Sequence, residues 1–114
     1  MSSKTELRSF YKQKRQSLHS FEIDQYRHLV ATKLIKDKHY LAAKNIGLYS
    51  AINNEVDLSL FFQTCLQDKK NCYFPVCQTH DLLFCQATKQ TQWLNNKFKI
   101  PEPQSNNLIT IDQL

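Results

Sequence analysis

A single glycine, Gly47, stands among the 114 residues of this chain. At the usual frequency a chain of this size would carry roughly eight. Neither the G-x-x-x-x-G-K-[ST] cradle nor the G-x-G-x-x-G turn can be written from one glycine, because both use several where backbone must approach phosphate. If the protein handles a nucleotide, its Gly-rich phosphate loop does not lie in these residues. The length fits one small domain with a single core and little margin. Apolar content of 41% and charged content of 22% are those of a globular protein rather than a disordered one.

The four cysteines, Cys65, Cys72, Cys77 and Cys85, are spaced too irregularly for a C-x-x-C pair, and each sits in an apolar stretch. They are expected to be reduced core thiols rather than metal ligands. The opening residues contain no apolar run of the secretory kind, and nowhere do about 18 apolar residues follow one another. The expectation is a soluble, cytoplasmic protein with no membrane partner. The net charge of +5 is concentrated at one end: residues 1–44 hold ten Lys/Arg against four Asp/Glu, and the remainder is nearly balanced. A basic first third suggests an anionic partner, which charge alone leaves open among polyphosphate, acidic metabolite and nucleic acid.

Ser3-Lys4-Thr5-Glu6 has capping-box spacing and predicts a helix beginning near Lys4, with Leu7, Phe10, Tyr11 and Leu18 as its apolar face. Ser20 is the expected cap of a second helix with Ile23, Tyr26, Val30 and Leu34 on its stripe, and Tyr40–Ala43 can form a further short turn. Ile46-Gly47-Leu48-Tyr49 reads as a strand, and Asp57 as the cap of a third helix carrying Leu58, Phe61, Phe62, Cys65 and Leu66. Cys72–Val76 and Leu82–Cys85 read as strands separated by a turn at Thr79-His80-Asp81, with Pro75 placing the first near a strand end or edge. A helical turn is expected around Gln90–Leu94, and extended chain at Ile100-Pro101-Glu102-Pro103. Strand, helix, strand after two introductory helices predicts an α/β layered, Rossmann-like domain with a mostly parallel sheet.

Lys4, Arg8, Lys12 and Arg15 fall in one sector of the first helix, beside its apolar face. Lys4 and Arg8 occupy the first two turns, where free N–H groups and the helix dipole favour an anion. The same pattern describes a solvated basic stripe. No helix-turn-helix, zinc-finger or RNP pattern accompanies it, so nucleic acid is not the expected partner.

Lys4-Thr5-Glu6-Leu7-Arg8, then Ile46–Ser50 and Asn54-Glu55-Val56-Asp57, then Phe74-Pro75-Val76, Leu82-Leu83-Phe84 and Phe98–Pro103 occur in that order. Together they resemble the N-terminal part of 5-formyltetrahydrofolate cyclo-ligases (methenyltetrahydrofolate synthetases), over essentially the whole chain. The resemblance implies an enzyme that uses ATP and Mg2+ to cyclise 5-formyltetrahydrofolate to 5,10-methenyltetrahydrofolate with release of ADP and phosphate. It implies Lys4 and Arg8 at the ATP phosphates, and Ser50, Glu55 and Phe98 at the folate; Trp93 lies outside the motif and is expected to be structural. The family's Gly-rich phosphate loop and its acidic magnesium residues have no counterpart here, and the chain resembles one truncated before the central strand that precedes that loop. Residues 1–114 are therefore expected to form a single, incomplete domain that is inactive by itself, or a non-catalytic folate- or nucleotide-binding remnant. An exposed sheet edge is expected to favour self-association.

Overall fold

The computed structural model describes residues 3–52, 55–77 and 82–114. Helix α1, Lys4–Gln16, begins at the expected capping box: the Ser3 hydroxyl accepts from the Glu6 N–H at 3.1 Å and the Glu6 carboxylate accepts from the Ser3 N–H at 3.4 Å. Helix α2, Ser20–Leu34, starts one residue earlier than the sequence suggests, with His19 at the cap and no side-chain bond, so Ser20 is helical rather than capping. The short helix α3, Lys38–Ala42, is capped by Asp37. Strand β1 is Asn45–Gly47, shorter than expected. Helix α4 is Ser59–Gln67, and Asp57 caps it from one position further out, accepting from the Ser59 N–H at 2.8 Å.

Strands β2, Asn71–Cys77, and β3, Leu82–Ala87, follow. The expected turn at Thr79–Asp81 lies outside the described residues, as does Asn54. A helical turn does not form at Gln90–Leu94. Gln92–Asn95 is instead strand β4, hydrogen-bonded to β5, Pro101–Gln104, where the prolines keep the chain extended as expected. Strand β6, Leu108–Thr110, and a 3-10 turn at Ile111–Gln113 end the chain.

The main sheet has the order β1-β2-β3-β6, and only β1 and β2 run parallel; β2–β3, β3–β6 and β4–β5 are all antiparallel. The expectation of a Rossmann-like, mostly parallel sheet is thus corrected to a mixed α/β fold. For β1 to β3 the reason is connection length, while β6 is reached by way of the β4–β5 hairpin rather than a crossover helix. A parallel pair needs a crossover of a dozen or more residues, and α4 supplies one between β1 and β2. From Cys77 onward the connections hold no helix among the described residues, and the four-residue link from β2 to β3 reaches only an antiparallel neighbour. Pro75 is likewise not on an edge strand, since β2 lies between β1 and β3. It falls beyond Tyr73, however, where pairing with β1 has ended, so a missing N–H breaks nothing on that side.

One face of β2 and β3 carries Cys72, Phe74 and Ala87, which are buried with Tyr40, Leu48, Phe61 and Cys65. α4 covers this face, α2 packs outside α4, and the β4–β5 hairpin lies against β2 and β3. Trp93 completes the cluster edge-on, 4.9 Å from Phe74 and 6.4 Å from Phe62, in the structural role expected of it. Fully burying a ring such as Phe74 stabilises the fold by about 1.5–3 kcal/mol. Across the sheet Leu114 returns over Gly47, where an added Cβ would meet its Cδ1 at 3.1 Å; close approach, not an unusual φ, is what this glycine provides.

Two burial expectations fail. The apolar face of α1 is not in the core: Leu7, Phe10 and Tyr11 are each 44–55% exposed and no residue of α1 is buried, because no described element packs over that face. Cys77 is exposed at the end of β2, whereas Cys65, Cys72 and Cys85 are buried free thiols. No helix among the described residues is long and apolar enough to cross a membrane.

Candidate functional site

The segment leaving the carboxyl end of β1 and entering α4 lines two cavities, at the place where open α/β sheets bind ligands. The first, of about 190 Å³, is walled by Tyr49, Ser50 and Ala51 on one side and by Asp57, Leu58 and Ser59 on the other, with Phe62 and Phe74 as its floor. The floor rings meet edge to face at 5.1 Å, a fixed apolar surface. Ser50 donates its hydroxyl hydrogen to the Pro101 carbonyl at 3.2 Å, tying this cleft to β5. The second cavity, of about 270 Å³, lies between the α1–α2 corner and the following loop. Leu18, Ile23, Tyr26 and Val56 make its walls, and Arg15 and Glu55 bring opposite charges to it.

Ser50 and Glu55 are therefore close in sequence but face different cavities. The Glu55 carboxylate accepts from the Ile52 N–H at 3.0 Å, while the Glu55 N–H donates to the Ile52 carbonyl at 2.9 Å, so these two residues hold each other. Each carboxylate oxygen has two lone pairs, and one such bond leaves acceptor capacity for a ligand N–H. Tyr49 joins the cavities by donating to the Val56 carbonyl at 2.9 Å. Burial, with the Glu55 and Asp57 carboxylates adding to it, raises the Tyr49 phenol above its ordinary pKa of 10.0 and holds it protonated as a donor.

The remaining expected site residues lie elsewhere. Phe98 is at the tip of the β4–β5 hairpin, 62% exposed, with the Lys97 ammonium 5.1 Å from its ring centre. Lys4 and Arg8 are exposed on the first two turns of α1 and line neither cavity. Arg15, which does line the second, is seven residues beyond Arg8, about 10 Å along the helix axis. The start of α1 is also already occupied in part, since the Ser3–Glu6 box takes N–H groups and puts a carboxylate where an anion would sit. Phosphate binding there would fall to the side chains of Lys4 and Arg8. No group of three or more His, Cys, Asp or Glu among the described residues could hold a metal ion, so the residues present do not fit a magnesium site.

Two participants were not singled out for function from the sequence. Arg27 of α2 pairs with Asp24 and places Nη1 3.6 Å from Asp57 Oδ2. Asp57 was visible as a helix cap and as part of the Asn54-Glu55-Val56-Asp57 motif, with no role of its own assigned. The i,i+3 spacing of Asp24 and Arg27 marks a helix-surface pair, but nothing local in the sequence joins Arg27 to a loop thirty residues on.

The sequence profile of the 5-formyltetrahydrofolate cyclo-ligase family matches residues 1–112. The chain belongs to that family. A 5-formyltetrahydrofolate cyclo-ligase of Haemophilus influenzae is 34% identical over an alignment covering 63% of this chain and 41% of that protein. The NMR structure of a 5,10-methenyltetrahydrofolate synthetase from Aquifex aeolicus superposes with a TM-score of 0.81 at 24% identity, covering 92% of this chain and 54% of that one, a likeness of fold. A 5,10-methenyltetrahydrofolate synthetase from Mycoplasma pneumoniae superposes with a TM-score of 0.66 at 25% identity, covering 75% of this chain and 54% of that one. This family member thus spans about half the length of the relatives it matches.

Proposed function

We propose that residues 1–114 form a single, incomplete cyclo-ligase domain carrying the folate-facing surface, and part of the phosphate-facing surface, of an enzyme that cyclises 5-formyltetrahydrofolate to 5,10-methenyltetrahydrofolate at the expense of ATP. The family match across residues 1–112 carries this reading. The geometry supports it by setting Ser50 and Glu55 at the carboxyl end of the β1–β2 parallel pair, beside apolar walls suited to a flat heterocycle.

In the proposed reaction the formyl oxygen, a poor leaving group, attacks the γ-phosphorus of ATP and ADP departs. N10 then attacks the activated formyl carbon, the ring closes, and the oxygen leaves as phosphate. Catalysis of such a transfer consists mainly of positioning and charge stabilisation. Glu55 would accept N–H bonds from the pterin edge and Ser50 would border the ligand beside the Phe62–Phe74 floor. Lys4 and Arg8 would meet the phosphates, as a mobile point charge and a bidentate fork. Magnesium, which supplies charge neutralisation on the phosphates in the family, finds no ligand set among the described residues. A cytoplasmic setting belongs to the same reading and rests on the resemblance.

The test is direct. The purified chain mixed with 5-formyltetrahydrofolate, ATP and magnesium is expected to develop no methenyl absorbance, because a sequence with one glycine holds no Gly-rich phosphate loop. The same chain is expected to bind 5-formyltetrahydrofolate without ATP in a calorimeter. Turnover by the chain alone would overturn the division of labour proposed here, and absence of folate binding would overturn the folate-facing assignment.

A further inference from the structure

Arg27 reaches from α2 to the segment that carries Glu55. Its guanidinium fork faces two carboxylates: Nη2 pairs with Asp24 on its own helix, and Nη1 lies 3.6 Å from Asp57 Oδ2. His28, the next residue, also leans on Asp24 at 3.8 Å, so Asp24 is shared while Asp57 faces Arg27. The Arg27 Nε is buried with no hydrogen-bond partner among the described residues. A side chain free to swing into water would not leave a donor unpaired. The two carboxylates hold the fork where it is.

Asp57 is the hinge of this arrangement. Its Oδ1 accepts from the Ser59 N–H and fixes the start of α4, and its backbone stands two residues from Glu55. Besides its bonds to near neighbours, Glu55 with Ile52 and Asp57 with Ser59, the 55–57 segment is tied to Tyr49 by the Tyr49 hydroxyl at the Val56 carbonyl and to α2 by Arg27 at Asp57. Removing Arg27 would leave the Asp24 and Asp57 carboxylates, with Glu55 nearby, without the cation shared by the first two. Their repulsion would push the segment away from α2, whose Ile23 and Tyr26 wall the cavity that Glu55 faces.

The geometry points to Arg27 as a positioning residue: by holding Asp57 against α2 it sets where the Glu55 carboxylate stands in the second cavity, and so tunes affinity for the hydrogen-bonding edge of a folate. This inference rests on the reading of Glu55 as a folate-binding residue.

Binding of 5-formyltetrahydrofolate to the full chain, measured by calorimetry for the wild type, Arg27→Met, Asp57→Asn, the double variant and Glu55→Gln, tests both. Asp57→Asn keeps the oxygen that caps Ser59 and removes the charge. Because the Arg27 and Asp57 side chains are 35% and 38% exposed, their pair has the modest strength of a partly screened one. Arg27→Met and Asp57→Asn are each expected to weaken binding roughly two- to fivefold. The double variant is expected to be no weaker than the worse single one, since both remove one interaction. A merely structural tie would lower the melting temperature of both variants without this non-additivity in affinity. Full affinity in both single variants while Glu55→Gln loses binding, or losses that multiply in the double variant, would overturn the positioning role. Unchanged affinity in Glu55→Gln would instead sink the folate reading beneath it. Should Arg27→Met fail to fold, Asp57→Asn and Arg27→Lys decide the matter; the lysine keeps charge without the fork and is expected to fall between wild type and Asp57→Asn.

Discussion

Lys69 stands where many helices end in glycine, and replacing it with glycine is expected to stabilise the protein. α4 closes with two backbone bonds: the Lys70 N–H donates to the Cys65 carbonyl at 2.9 Å and the Lys69 N–H to the Leu66 carbonyl at 3.1 Å. This is the Schellman pattern, and it requires a left-handed residue between helix and strand. Lys69 supplies it at φ 61°. An L-residue with a Cβ bears roughly 1–2 kcal/mol for that conformation. Glycine removes the clash but loses about 0.5–1 kcal/mol more backbone entropy on folding. The Lys69 side chain is exposed and its loss removes no buried contact. The difference leaves Lys69→Gly more stable by about 0.5–1 kcal/mol, or roughly 2–5 °C in Tm for a domain of this size. Equilibrium urea unfolding of the wild type, Lys69→Gly and Lys69→Ala measures it, with the alanine variant expected within about 0.3 kcal/mol of wild type because it keeps the Cβ. Lys69→Gly at or below wild-type stability would refute the argument that strain at this cap outweighs entropy.

Two further outcomes follow from the same region and from the tyrosines. The Lys70 ammonium donates to the Tyr40, Ala43 and Leu41 carbonyls at 2.9, 2.6 and 3.3 Å and lies 4.8 Å from the Tyr40 ring centre, so Lys70→Met strips three acceptors at the end of α3. A loss of roughly 2–4 kcal/mol is expected in urea melts, and a loss below about 0.5 kcal/mol would show that water replaces the ammonium freely. Tyr40 is raised above 10.0 by burial and by its hydrogen bond to Asp68, and Tyr49 by burial and by Glu55 and Asp57. A raised phenol favours the protonated folded state, so this stability is fully present below about pH 10 and is lost as pH rises through the elevated folded values. Urea midpoints are expected to fall steeply above that pH, and less steeply in Tyr49→Phe; an unchanged slope would remove Tyr49 as a contributor.

The sequence alone determined the features whose physics is local. Ser3 and Glu6 are three apart, and that spacing is enough to write the capping box that begins α1. Asp57 was legible as a cap, off by one residue, because its bond to the Ser59 N–H spans two positions. The runs that became β2 and β3, and the ordered motifs that place the chain in its family, are likewise patterns within a few residues of one another. Only the tertiary structure decided matters that depend on partners distant along the chain. The direction of β3 was set by its four-residue link and that of β6 by the return through the β4–β5 hairpin, not by the strands themselves. Gln90–Leu94 looked helical, yet pairing with Pro101–Gln104 made most of it a strand. Whether the Leu7–Phe10–Tyr11 face was core or surface depended on what packs over it, which an amphipathic pattern cannot name. Gly47 was visible as an oddity, but its purpose appeared only when Leu114 came to rest 3.1 Å from its missing Cβ. The Arg27–Asp57 tie likewise joins residues thirty apart. Hydrogen bonds to near neighbours are written into spacing, whereas register, burial and charge pairing across the fold are set by which surfaces the whole chain brings together.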